Sequence, residues 1–310
     1  MIRRDERGFA LVVVIWVLAV LLVVVAEFAR TMRLEAETTR NYREAVSAVR
    51  LAEAGYHRAL AELLPDAVSH ELDVEGRLVF RRSLLGAPEA PARTALALGP
   101  GRFSYRISDE EGRINLNRAA PVVLDRLLAE LGVTKLDRDV IVDSILDWRD
   151  PNDLHRLNGA ESDYYLGLPV PYRAKDADFD AVEELLQVKG VIPELLYGAP
   201  GRPGLAEFLT VVGSGRINLN TASPTVLRAL GFAQAEVDQI VQGRPFPTLQ
   251  QVPTFLRRRA QRVKSETFRI EAWGEVPGQG RQGLQAIAVR QVGADGARAR
   301  VRDWRSEPPR

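Results

Sequence analysis

Acidic side chains between residues 143 and 163 are the densest set of candidate ligands in this 310-residue chain. Asp143 and Asp147 lie near the end of a predicted helix, where negative charge opposes the helix dipole. Calcium takes about six to eight oxygen ligands in flexible geometry, and the loop that follows, with its Asn158-Gly159 turn, can supply them. The candidate metal ligands are Asp147, Asp150, Asp153, Glu161 and Asp163.

The alternative for this segment is a solvated acidic surface without an ion, since runs of charge are commonly exposed. Arg149, Arg156 and Arg173 lie within or beside the run and can neutralise it. The spacing of an EF-hand loop is absent, so no single calcium motif decides between the two interpretations. Both stay open on the residues alone.

Residues suited to catalysis are sparse. The three histidines, His57, His70 and His155, are scattered along the chain, and there are no cysteines. No nucleophile elbow, phosphate-cradling loop or metal-hydrolase helix motif occurs. The sequence therefore predicts a protein that is not an enzyme. A formal net charge of +1 provides no general attraction to nucleic acid or to an anionic surface.

An uncharged apolar run near the N-terminus follows a short polar leader. Residues 1–8 carry three arginines and two acidic residues, and no charge occurs from residue 9 to residue 26. Such a helix spans about 27 Å, close to the thickness of a bilayer core. An ordinary secretory signal needs a small-residue cleavage site behind its apolar run, but charged residues follow this one. We therefore expect one membrane span, at 9–29.

The same helix is expected to continue beyond the membrane as the spine of a globular head. No proline occurs before Pro65, and apolar residues recur three or four positions apart, as on one face of a helix. They are Tyr42, Ala45, Val49, Ala52, Tyr56, Ala59 and Leu63. This stripe predicts that one helix face packs against the rest of the chain.

A period of two predicts four strands of a small antiparallel sheet, at 77–84, 102–108, 267–273 and 284–292. Packed on the long helix, they form a small globular head of the α+β class. Between the second and third strands, a mostly helical pattern predicts an inserted domain. The predicted divisions are a leader 1–8, a membrane segment 9–29, head parts 30–111 and 260–292, an inserted domain 112–259, and a disordered basic tail 293–310.

The inserted domain contains an internal repeat. The hexapeptide Gly-Arg-Ile-Asn-Leu-Asn at 112–117 returns at 215–220, and the proline and leucines that follow it return with the same offset of 103. Each copy has an asparagine near a helix start and a proline in the first turn. A duplicated helical unit is the structural prediction.

The leader, the apolar run and the long amphipathic helix together resemble a type IV prepilin, or class III, signal. The resemblance implies cleavage between Gly8 and Phe9 and methylation of the new amino terminus. Most such pilins have glutamate as the fifth mature residue, which here is Val13. A glutamate there can pair with the amino terminus of the neighbouring subunit and offset a costly buried charge. Val13, which is also one more lipid-facing residue, therefore predicts a subunit that caps a filament.

Essentially the full chain resembles the K-type minor pseudopilins of type II secretion systems, the GspK family. The resemblance rests on the leader without the glutamate, on Asp147-Trp148-Arg149-Asp150, on the segment 159–165, on Val188-Lys189-Gly190 and on the second asparagine-rich copy. It implies a single-pass protein of the bacterial inner membrane, mostly periplasmic, that caps the pseudopilus tip and supports protein export. It also implies calcium in the inserted domain. Its implied partners are I- and J-type minor pseudopilins, the major pseudopilin, the prepilin peptidase and inner membrane lipid.

A membrane-anchored helix-hairpin-helix protein that takes up DNA is the alternative function, because the pattern of 217–222 also occurs in such receptors. They bind phosphate through the backbone amides of a Gly-x-Gly hairpin. The hairpins here, at 131–134 and 230–233, lack the second glycine. From residue 137 to residue 184 there are 13 acidic and 5 basic residues, and this charge repels a polyanion. The sequence therefore predicts no nucleic acid among the partners.

Overall fold

A computed structural model describes residues 6–73, 76–83, 91–257, 259–278, 280–293 and 296–307. Predicted leader residues 1–5 lie outside this range. The helices are α1 (Glu6–Leu63), α2 (Pro121–Glu130), α3 (Lys135–Arg149), α4 (Ser162–Leu166), α5 (Pro193–Tyr197), α6 (Leu205–Phe208), α7 (Pro224–Ala229), α8 (Gln234–Gly243) and α9 (Thr254–Arg257). The strands are β1 (Ser69–Leu72), β2 (Leu78–Arg81), β3 (Leu96–Leu98), β4 (Gly101–Asp109), β5 (Ile114–Asn115), β6 (Gly198–Ala199), β7 (Arg202–Pro203), β8 (Leu209–Thr210), β9 (Thr267–Glu275), β10 (Gln282–Gly293) and β11 (Gly296–Glu307). Short 3-10 helices cover Glu110–Gly112, Val182–Gln187 and Leu249–Gln251.

The helix α1 runs without interruption for 58 residues, which makes it about 87 Å long. It is long and apolar enough to cross a membrane once, and among the described residues no other helix meets that test. Its C-terminal part packs against β4, β9 and β10. The prediction of one continuous helix that forms the spine of the head is confirmed.

The core of the head lies between α1 and one face of a five-stranded antiparallel sheet, in the order β11-β10-β9-β4-β3. Tyr56 and Leu63 of the helix share one buried cluster with Phe268 and Ile270 of β9. Each of these four side chains is at most 4% exposed. Since burial of such side chains is the main favourable term in folding, this contact fixes the helix on the sheet.

The predicted helix stripe is correct from Ala52 onward and wrong nearer the membrane. There Ala48 and Leu51 are buried, whereas Tyr42 is 71% and Val49 43% exposed. The predicted stripe alternates steps of three and four residues, so it drifts about 20° per seven residues against an α-helix of 3.6 residues per turn. Over this length the drift moves the buried face by one position.

The prediction that 77–84 joins the main sheet is wrong. The observed strand β2 pairs with β1 in a separate two-stranded sheet, and residue 84 lies outside the described part of the chain. Strand β1 is buried at Ser69, His70 and Glu71, so it has no alternation of apolar and polar residues from which to recognise it. The His70 Nδ1 atom accepts a hydrogen bond from the Ser265 backbone N–H at 3.1 Å.

The prediction of a disordered tail at 293–310 is also wrong for the residues that the structure describes. Strand β11 pairs along β10 and forms the edge of the main sheet. Its Trp304 lies edge-on to the Tyr56 ring of α1, with centroids 4.7 Å apart. The small and apolar residues that alternate with the arginines of β11 have the period of a strand, and in the sequence the repeated positive charge masks that period.

Everything between β4 and β9 forms the inserted domain, which has its own core. Leu127, Ile145, Tyr165 and Leu227 are among its most buried side chains. Helix α2 packs against both α3 and α7. The insertion therefore folds around a centre of its own.

Three consecutive carboxylates, Asp109, Glu110 and Glu111, form the entry to the inserted domain, and all are buried. Glu110 pairs with Arg269 of β9 at 2.7 Å and with Arg113 at 3.2 Å. Burial alone would raise the pKa of Glu110, but the two arginines outweigh burial and hold that pKa below its usual range. The entry is thus ionically tied to the sheet.

The other two carboxylates tie the entry to the exit. Asp109 Oδ2 accepts hydrogen bonds from Ser265 Oγ at 2.6 Å and from Asn218 Nδ2 at 3.0 Å. Glu111 forms an ion pair with Arg262. Burial raises the pKa of Asp109, although its hydrogen bonds act in the opposite direction. Strand, insertion and exit segment are therefore held by one buried polar cluster.

We predict that Glu110→Ala destabilises the region from residue 30 by roughly 3–5 kcal/mol, because it leaves the partly buried charges of Arg269 and Arg113 without their partner. Glu271→Ala is the matched control, since its carboxylate pairs with Arg106 at 3.8 Å on a more exposed face, and it should cost at most about 1 kcal/mol. Urea denaturation measures both changes. Equal losses in the two variants would contradict a special role for Glu110.

Candidate metal centre

Three carboxylates of the inserted domain converge on one point: Asp153, Glu161 and Asp176. One oxygen from each lies within 4.8 Å of the others. Asp153 is in the loop after α3, Glu161 directly precedes α4, and Asp176 follows α4. The loop is exposed at Asp153, whereas Glu161 is only 2% exposed.

Glu161 is the member of this cluster that most needs a positive partner. Both of its oxygens, and Asp176 Oδ1, are buried without a hydrogen-bond partner in the part of the chain that the structure describes. Burial, followed by the charges of Asp147 and Asp176, raises the pKa of Glu161 to about 7. A divalent cation would supply the missing charge and favour the ionised carboxylate.

Asp176 is a member of the cluster that sequence reasoning missed. Its backbone is left-handed, with φ of 53°, a conformation that aspartate tolerates better than most residues and that often marks functional positions. Burial, followed by Asp153 and Asp150, raises the pKa of Asp176. The sequence signal was weak, because Asp176 is one of several acidic residues beyond the predicted loop.

The structure brings two of the five predicted ligands, Asp153 and Glu161, into the cluster. Asp147 accepts a hydrogen bond from Arg156 Nη1 at 2.5 Å, and Asp150 accepts one from the same nitrogen at 2.7 Å. These two carboxylates therefore hold the loop in place. Asp163 is exposed and accepts the backbone N–H of the next residue at 2.7 Å.

The cluster offers only oxygen atoms, which suits a hard cation. Three carboxylates, some of them bidentate, together with water reach the coordination number of calcium. We propose calcium as the occupant, with Asp153, Glu161 and Asp176 as its protein ligands. Bound there, the ion would tie the loop after α3 to both flanks of α4.

The two asparagine-rich copies make matching hydrogen bonds. In the first, Asn117 accepts the Phe179 N–H at 2.7 Å and donates to the Phe179 carbonyl at 3.0 Å. In the second, Asn220 accepts the Phe246 N–H at 2.8 Å and donates to the Phe246 carbonyl at 3.0 Å. Each asparagine thereby joins the start of its copy to a distant loop, which explains why both copies keep it.

An arginine closes each copy in the same way. Arg149 Nη2 donates to the Ala119 carbonyl at 2.8 Å, and Arg244 Nη2 donates to the Ala222 carbonyl at 2.6 Å. The charge pattern of the sequence predicts that Arg149 neutralises part of the acidic run. Its position instead makes it a brace for the turn before α2.

The glycine amides of the two hairpins are not free to bind phosphate. Gly132 and Gly231 have φ of 80° and 90°, as a tight helix-to-helix turn requires. Their N–H groups donate to the carbonyls of Ala129 and Arg228, at 3.0 and 2.8 Å. The DNA-binding alternative therefore gains no support from these turns.

Sequence relatives of this chain share one description. A family model, "Type II secretion system (T2SS), protein K", matches residues 105–198, which include all three clustered carboxylates. The "Type II secretion system protein K" of Pseudomonas aeruginosa is 30% identical over 264 residues, which cover 78% of this chain and 73% of that protein. This chain belongs to the type II secretion system protein K family.

Further comparisons extend the protein K match over most of the chain. The protein K of Pectobacterium carotovorum subsp. carotovorum is 26% identical over 305 residues, covering 87% of this chain and 88% of the relative. A chain in the crystal structure of the GspK-GspI-GspJ complex from the enterotoxigenic Escherichia coli Type 2 Secretion System aligns with a TM-score of 0.64 at 20% identity. That alignment covers 88% of this chain and 99% of the other, so the two share a fold. The predicted family and the predicted α+β class are confirmed.

We predict that calcium raises the melting temperature of this protein and that Glu161→Gln abolishes the rise, because the variant removes the most buried carboxylate charge of the cluster. An ion that binds only the folded state stabilises it by about 2.7 kcal/mol at a hundredfold excess over Kd. Asp163→Asn is the matched control and should keep the rise. Identical melting curves of the unmodified protein in calcium and in chelator would leave the solvated acidic surface as the better interpretation.

Proposed function

We propose that this protein caps the tip of a type II secretion pseudopilus, in a complex with I- and J-type minor pseudopilins, and so supports protein export. The family gives the secretion system. The related crystal structure is titled as a complex of K, I and J proteins, and we extend that assembly to this chain. The place of the inserted domain on α1 is the observation that carries the tip assignment.

The insertion leaves the head at the end of α1 farthest from the membrane segment. Strand β4 starts at Gly101, where a Cβ would lie 2.6 Å from Leu51 Cδ1. It ends at Asp109, and across the sheet from that end Arg290 donates to the Leu63 carbonyl at 2.9 Å. A bulky domain at this end would lie above the shaft of a filament built from such helices.

Val13 supports the same position. It lies on the exposed membrane part of α1, 45% exposed, at the place where most related pilins have glutamate. A repeating subunit must satisfy its neighbour's buried amino terminus, and a buried charge left unpaired costs several kcal/mol in effective terms. With valine at this position, the subunit has no carboxylate to pair with the amino terminus of a second copy of itself.

Membrane insertion follows from α1 and the leader. The chain is a single-pass protein of the bacterial inner membrane with its bulk in the periplasm. A prepilin peptidase cuts between Gly8 and Phe9, the new amino terminus is methylated, and the span stays in the lipid until the subunit joins the major pseudopilin. The role is assembly, without catalysis.

We expect the mature chain to begin at Phe9 and to remain in the membrane fraction. The reason is that the polar leader ends at Gly8, directly before the apolar run. N-terminal mass analysis of the membrane-extracted protein measures the start. Gly8→Leu, which removes the small residue before the cut, should leave the leader attached. A mature chain that starts beyond residue 25 would show an ordinary signal peptide.

A second expected outcome is that the region from residue 30 copurifies with I- and J-type partners encoded in the same genome. The control bait is the corresponding region of the major pseudopilin, which we take to have no inserted domain. It should not take the place of this chain in the complex. The function proposed here is wrong if the region binds none of the minor pseudopilins and instead binds duplex DNA.

A further inference from the structure

A cleft of about 790 Å³ separates the inserted domain from the sheet face opposite α1. The sheet side presents Arg106, Trp273, Arg281 and Arg305. The inserted domain supplies the other wall through Glu183 and Tyr197. The volume of the cleft falls in the range of sites that hold a small molecule or a short peptide segment.

The ion pairs that Arg106 and Arg281 of the sheet wall make with acidic residues of the sheet are long. Arg106 lies 3.8 Å from Glu271, and the Arg106 side chain is 68% exposed. Arg281 and Arg102 approach the same Glu275, at 3.5 and 4.0 Å. Long, partly exposed ion pairs of this kind are weak and leave the guanidinium groups able to take a better partner.

Arg281 is the side chain held most firmly for such a partner. It lies over the Trp273 ring, 4.1 Å from the centroid, while Arg106 approaches the same ring at 6.0 Å. The Arg281 Nε atom is buried and makes no hydrogen bond among the residues that the structure describes, since the Glu275 oxygen of its ion pair lies 3.5 Å away. Stacking fixes the plane of the guanidinium, and a fixed guanidinium suits bidentate binding of a carboxylate.

We propose that this cleft docks an acidic segment of a partner protein. The partner's carboxylates meet Arg106 and Arg281, and its apolar side chains pack on Trp273 and on Tyr197, which is 49% exposed. This surface is separate from the clustered carboxylates and does not depend on where the subunit lies in a filament.

The opposite wall favours a peptide over a nucleic acid. Asp180 and Glu183 line the cleft beside the arginines. A continuous polyanion in the cleft would face these two carboxylates, whereas a peptide with spaced acidic residues presents charge only toward the sheet. Exposed Arg300 and Arg302 continue the basic surface along the edge strand β11, so the segment has a charged path out of the cleft.

The test uses the full chain in detergent micelles and a short fluorescein-labelled peptide of alternating glutamate and leucine. We expect fluorescence anisotropy to show binding that the double variant R106A/R281A weakens by at least about tenfold, the effect of losing two charge-assisted contacts. Arg202→Ala is the matched control, an exposed arginine of β7 in the inserted domain, and should bind like the unmodified chain. Trp273→Phe should remove the change in tryptophan emission that accompanies binding.

Four outcomes would overturn the proposal. The first is equal peptide affinity in R106A/R281A and the unmodified chain, with melting temperatures that show both to be folded. The second is equal binding of a peptide in which lysine replaces glutamate. The third is that duplex DNA competes with the peptide for the cleft and binds the same double variant more weakly than the unmodified chain. The fourth is self-association of the chain that the double variant abolishes, which would assign the face to a second copy.

Discussion

Burial of three adjacent carboxylates at the entry to the inserted domain is the constraint on which the rest of the structure depends. A buried charge is tolerated only where partners surround it. Here the partners come from separate places: Arg269 from the sheet, Asn218 from the second copy, and Arg262 from the exit segment. Moving any one of these elements would leave a charge without its partner. The insertion is therefore fixed to the head at both of its ends.

Such a junction fixes the orientation of the inserted domain relative to α1. The helix is fixed to the sheet through Tyr56 and Leu63, and the sheet is fixed to the insertion through Glu110. A displacement of the helix along its axis therefore carries the inserted domain with it. The proposed tip position requires this property, because the inserted domain of a subunit pushed outward by a growing filament would have to arrive in a defined orientation. The clustered carboxylates and the arginine-lined cleft both lie on that surface or beside it.

The sequence was informative where a periodic signal was strong. The long helix, the strands β4, β9 and β10, and the helical insertion all follow from spacing, and the family follows from the leader and short motifs. The edge strand β11 was missed because its arginines looked like a solvated tail. The buried junction was missed because Asp109, Glu110 and Glu111 are three charges in a row, which normally mark a surface loop. Only the fold brings Arg269, which is distant in sequence, beside them.

The acidic site shows the same limit at closer range. Composition identified the acidic loop, and two of its predicted ligands, Asp153 and Glu161, lie in the carboxylate cluster. Spacing alone did not reveal that Arg156 donates hydrogen bonds to Asp147 and Asp150. The turn that returns Arg156 to α3 depends on Gly159, because a Cβ at that position would lie 1.8 Å from Asp147 Oδ2. Nor did it reveal Asp176, which reaches the cluster only after the chain has passed through α4. Which carboxylates come together depends on how the domain packs, whereas the abundance of carboxylates in this segment can be recognised in the sequence.

The position of the subunit in the filament is the central claim, and one labelling measurement tests it most directly. The chain has no cysteine, so Leu136→Cys, at a side chain of the inserted domain that is 72% exposed, provides a single site for a gold label. Isolated pseudopili carrying this variant would be imaged, and the amount of the chain would be compared with that of the major pseudopilin. We expect label at one end of each filament and a small, length-independent amount of the chain per filament. Label along the shaft, in amounts comparable to the major pseudopilin, would contradict the tip position.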